Sequence, residues 1–63
     1  MADDFAESVN RSADGMIQNH GDQAEAHARR ILARVVTEKD RVGERMWLAI
    51  LKAIEKKQRT IGP

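Results

Sequence analysis

The chain reads as an all-α protein built from three amphipathic helices. Three observations predict this. Ala, Glu, Arg, Lys and Gln are abundant, Tyr is absent and the single Pro is the last of 63 residues, a composition that favours helix over strand. Apolar residues recur at three- and four-residue spacing along most of the chain, the period of a helix with one buried face. Two short polar breaks, at His20-Gly21 and at 37–40, divide that pattern into three segments. They are of the length that connects antiparallel helices.

The first segment is expected at about 4–19. Phe5, Val9, Ala13, Met16 and Ile17 fall on one stripe, and Asp3 or Asp4 is placed to accept the unpaired amide hydrogens of its first turn. Asp14-Gly15 is a turn signal inside this segment and a place where the helix could break. At His20-Gly21 the pattern stops. Gly21 suits the left-handed conformation that ends helices, and His20 sits near the negative end of the helix dipole.

The second helix is expected at about 22–37, with Asp22 as cap and Glu25 three residues later in the manner of a capping box. Ala24, Ala28, Ile31, Leu32 and Val35 form its apolar stripe. The third is expected at about 40–58, capped by Thr37 or Asp40. Val42, Met46, Ala49, Ile50, Ala53 and Ile54 form its main stripe, Trp47 and Leu51 widen it, and Leu48 stands nearly opposite. Gly43 lies inside that arc. It either lets a neighbouring helix approach closely or merely marks the first turn. Gly62-Pro63 is expected to stop the helical run, with Ile61 loosely held.

Length limits what this fold can be. A single domain spanning 1–63 has little interior, and with no Cys it has neither disulfide nor thiolate metal site to staple it. The apolar arc of the third helix is wider than two neighbours need. An up-down-up bundle completed by homodimerisation through this helix is therefore expected. The expected interface residues are Gly43, Trp47, Leu48, Ile50, Leu51 and Ile54.

Charge is distributed unevenly. Residues 1–27 hold six acids and one base, and residues 28–63 hold ten bases and four acids, so halves of −5 and +6 make the net +1. The halves suit pairing within the chain or between two copies. The same asymmetry makes nucleic-acid binding the alternative function, with Arg29, Arg30, Arg34, Lys52, Lys56 and Lys57 as candidate contacts and Arg59 beside them in the tail, where the four-residue spacing pairs it with Glu55. No aromatic residue interleaves these bases.

Catalysis is not expected. Ser8 and Ser12 have no His at a fixed local spacing, and three short helices offer little concavity. His20 and His27 are seven residues apart, about two helical turns, so only a break at Gly21 would bring them together as metal ligands beside Asp22 and Glu25. No cofactor or metal is expected. The longest apolar run, 46–51, is far short of the roughly 20 residues a membrane span needs. The acidic opening, with Asp3 and Asp4, is unlike a secretory or transit signal, so the cytoplasm is the expected compartment.

His20-Gly21, the Ala-spaced second helix, and Trp47, Ile50, Ala53 and Ile54 on the third carry a pattern over about 20–54. It resembles a group of short bacterial helical proteins of unknown function. The resemblance implies a cytoplasmic protein and supplies no activity. Together these readings point to a small, non-enzymatic protein-interaction or regulatory module.

Overall fold

The computed structural model describes residues 4–61, and all of its regular structure is helical. Helix α1 spans Asp4–His20, a 3-10 turn covers Gly21–Gln23, α2 spans Ala24–Thr37 and α3 spans Arg41–Ile61. The expected capping by Asp3, the stop at Gly62-Pro63 and the looseness of the Ile61 side chain lie outside the described residues. Helix α1 runs unbroken through Gly15, where nothing lies within 4 Å of an added Cβ. The Asp14-Gly15 turn signal yields to the hydrophobic stripe on the far side of the helix, whose Val9 and Ala13 are buried. Helix α3 continues three residues beyond its expected end, because no breaker precedes Gly62.

The chain changes direction twice, by different means. At the first corner Gly21 takes φ 55°, as the sequence leads one to expect. The chain then passes through the 3-10 turn directly into α2, so 4–37 is one helical run with a bend. Asp22 does not cap α2. The residue preceding α2 is Gln23, at φ −89° and ψ −1°, and no side chain caps it. A capping residue needs an extended backbone, which the 3-10 turn removes. The amide of Ala24 donates instead to the Gly21 carbonyl. The accompanying box fails too: Glu25 accepts from Arg29 at 2.7 Å one turn further on.

The second corner is a Schellman turn. Asp40 N–H donates to the Val35 carbonyl at 2.9 Å and Lys39 N–H to the Val36 carbonyl at 3.0 Å. Lys39, at φ 59°, holds the left-handed position that glycine ordinarily fills. Asp40 then caps α3: its Oδ1 accepts from Gly43 N–H at 2.9 Å and its carbonyl accepts from Glu44 N–H at 2.8 Å. Thr37 is not the cap, since its hydroxyl donates back to the Ala33 carbonyl at 2.9 Å.

Helix α3 is the element on which both others pack, whereas α1 and α2 meet each other far less. The core draws Val9 and Ala13 from α1, Ala24 and Ala28 from α2, and Ile50, Leu51 and Ile54 from α3. Ala13, Ala24 and Ala28 have no exposed surface. Lacking bulk, they let the two helices come close to the isoleucines of α3. Met16, Ile17, Leu32, Met46, Trp47, Ala49 and Ala53 pack around this centre and are half-buried.

The result is a slab of 37 × 30 × 17 Å with a radius of gyration of 11.7 Å, against about 10.6 Å for a compact chain of this length. Its accessible surface is 5063 Å², where a compact monomer of this mass exposes about 4,100 Å².

The face of α3 used for packing is the expected stripe without Val42: Ile50 and Ile54 are buried, and Met46, Ala49 and Ala53 pack against the core. This face is turned toward Leu51 and Ile54, and Val42 is 80% exposed. Two neighbours, α1 and α2, share the apolar face of α3 and explain the shift. They bury an arc between them, and Val42 lies at its edge, on the first turn.

Candidate interaction surfaces

Electrostatic and polar ties collect where the C-terminal half of α3 meets the α1–α2 corner. The Gln58 side-chain amide donates to the Gly21 carbonyl at 2.9 Å. Lys57 pairs with Asp14 at 3.1 Å, and Arg29 lies 2.7 Å from Glu25 and 3.6 Å from Glu55. These pairs are partly exposed, and each is worth roughly 0–1 kcal/mol. Their use is directional, since they fix which end of α3 lies at the corner. His20 and His27 stack across the same corner, with ring centroids 4.1 Å apart and 21° between planes.

Gly21 thus brings the two histidines together, but not as ligands. Stacked rings send their in-plane nitrogen lone pairs outward rather than toward a common point. Among the described residues no group of three or more His, Cys, Asp or Glu is placed to hold a metal ion. The surface depressions are shallow and open, such as one lined by Lys52, Glu55, Lys56 and Arg59 along α3 alone. Among the described residues no helix is long and apolar enough to cross a membrane.

The expected interface residues separate into three groups. Ile50, Leu51 and Ile54 are buried within the single chain, so they hold α1 and α2 and are not available to another molecule. The apolar arc is spent on intrachain neighbours here because α1 and α2 share the apolar face of α3. Gly43 does not serve close helix approach. A Cβ there would meet the Asp40 carboxylate at 2.6 Å, so its lack of a side chain makes room for the cap. Trp47 and Leu48 remain partly open, Trp47 half-buried against the core and Leu48 41% exposed on the outer face of α3.

Sequence reasoning placed Val42 in the packed stripe and did not single out Val36. They are 80% and 46% exposed, one on each side of the Schellman turn. Phe5, on the first turn of α1, is 48% exposed. The signal was available in position alone: each sits on a terminal turn, where helices that splay cannot cover it.

The candidate nucleic-acid contacts also divide. Arg29 is tied to Glu25 and Glu55, and Lys57 to Asp14. Arg30 and Arg34 are exposed, one turn apart, further round α2 from Arg29. Lys52 and Lys56 lie on the exposed outer face of α3. At about 100° per residue, that face also carries Arg41, Arg45 and Arg59, all exposed. The six expected contacts therefore do not form one surface, and the outer face of α3 has a basic row that the count of charges by halves could not resolve.

No family model, curated protein or solved structure matches this chain.

Proposed function

We propose that this chain is a small, non-enzymatic interaction module whose first partner is a second copy of itself. The two copies meet at the end of the slab that carries the Schellman turn, which completes the up-down-up bundle. The observation that carries this reading is the surplus surface. The chain exposes 5063 Å², roughly 1,000 Å² more than a compact monomer of its mass. A standard interface takes about 800 Å² from each partner. The most exposed large apolar residue, Val42, lies at this end, with Val36 across the turn and half-buried Met46 one helical turn along α3.

The contact is at the N-terminal half of α3, not at Ile50, Leu51 and Ile54, which are already covered. Leu48 lies outside it. Arg41, Arg45 and Lys52 flank Leu48 on one side of the outer face and Glu44 on the other, so two copies meeting there would bring an excess of cations together. Trp47 supports the interface from behind, by fixing α3 against the core.

Light scattering after size exclusion is expected to give about twice 7.1 kDa. Val42→Glu should give a folded monomer, because Val42 supports little within one chain. Leu48→Gln should stay dimeric. A cooperatively folded monomer at millimolar concentration, or a dimer that survives Val42→Glu, would overturn the reading.

A further inference from the structure

We propose that the outer face of α3 is a binding ridge for the phosphate backbone of duplex DNA. Arg41, Arg45, Lys52, Lys56 and Arg59 fall within an arc of about 60° at 100° per residue. They are all exposed. Between Arg41 and Arg59 the row runs about 27 Å along one unbroken helix. It lies on the side of α3 away from Ile50, Leu51 and Ile54, and among the described residues each of its members is exposed.

Most of the acids that could neutralise this row are engaged elsewhere. Asp14 holds Lys57, Glu25 holds Arg29, and Glu7 holds Arg11. Glu55 borders the row but turns to Arg29 at 3.6 Å. Asp40 is occupied as the cap of α3. Arg41, Arg45, Lys52 and Arg59 make no ion pair with another described residue. Glu44 flanks the start of the row and also makes none. Four such cations on a rigid rod are pre-arranged at spacings of about 6–11 Å, and they need only a ligand with a regular line of negative charge.

The chemistry of the row selects among polyanions. A membrane-surface helix needs its apolar face free to enter the lipid, and the apolar face of α3 is packed against α1 and α2. An acidic protein partner needs buried apolar or aromatic anchors, and Leu48 alone stands among these bases. Single strands need aromatic platforms for base stacking, and this face has none. A cationic helix fits the B-form major groove, about 12 Å wide, whereas the deep, narrow major groove of A-form RNA excludes it. The contacts are to phosphates, so binding is expected to be indifferent to base sequence.

The test is fluorescence anisotropy of a labelled 20-base-pair duplex titrated with the full chain at several NaCl concentrations. With about four phosphates neutralised, log K should fall against log salt with a slope of about −3.6. That is roughly a 100-fold loss of affinity between 50 and 200 mM salt. Arg45→Gln combined with Lys52→Gln should about halve the slope. These residues are exposed, so circular dichroism should be unchanged. Arg30→Gln with Arg34→Gln, on α2, should leave the slope near its original value. The proposal fails if no binding occurs at 20 mM salt, or if the α3 double variant binds as the parent does. It fails equally if the α2 variant carries the loss, or if the chain prefers phosphatidylserine vesicles, single strands or duplex RNA to duplex DNA.

Discussion

The two ends of the slab are held by different forces. At the α1–α2 corner, residues far apart in sequence meet: Ala13, Ala24 and Ala28 close onto Ile50 and Ile54, and Gln58 reaches the Gly21 carbonyl. At the Schellman turn the bonds are local, from Asp40 to Val35 and Gly43 and from Lys39 to Val36, and Val36 and Val42 stay exposed. One end is fixed by packing, the other by backbone geometry and a cap. The small side chains of the corner permit close approach. The larger ones beside the turn have no third helix to meet, so surface collects there.

This contrast is open to attack from its strongest point. Ile54→Ala removes a fully buried side chain at the centre of the packed end and should cost about 3–4 kcal/mol. A domain of this size has about 3–9 kcal/mol in total, so urea denaturation should find the variant largely or wholly unfolded. A loss under about 1 kcal/mol would mean the packed end is not what holds the slab together.

Next in size is Ala28→Leu. Ala28 has no exposed surface, so the added bulk should force α2 from α3 and cost about 1–3 kcal/mol. Ala33→Leu, on the exposed face of the same helix, should change stability by less than about 0.5 kcal/mol. Equal effects at the two sites would remove the argument from small residues.

The smallest expected effect has the opposite sign and belongs to the turn. Lys39 is left-handed at φ 59°, a conformation that costs a non-glycine residue about 1–2 kcal/mol. Lys39→Gly should raise stability by about 1 kcal/mol, the gain being reduced by the greater freedom of glycine in the unfolded chain. A thermal midpoint that falls would show that the lysine side chain contributes more than its backbone costs.

Much of the local structure was legible before any tertiary contact was known. Periodicity located α1 and α2 to within about two residues, and Gly21 and Asp40 announced their roles in the bend and the cap. Local reasoning failed where two elements compete for the same residues. Asp22 and Glu25 spell a capping box, but the chain stays helical through Gly21–Gln23, and Glu25 turns to Arg29. The exposure of the residues expected at an interface was legible only in part. Trp47 and Leu48 are partly open, but Ile50, Leu51 and Ile54 are enclosed, because a stripe on one helix does not say how many neighbours share it.

The sequence by itself determined that this protein is helical, where its chain turns, and which residues form apolar stripes. These follow from spacing, capping chemistry and the backbone freedom of single residues, all of which act over a few positions. Only the tertiary structure decided which part of the α3 stripe is covered. Burial depends on how α1 and α2 sit on α3, and that is set by contacts among residues far apart in the chain, such as Gln58 with Gly21 and Lys57 with Asp14. This arrangement left Val42 in the open and enclosed Leu51, and it turned a row of bases on α3 into a continuous outward face.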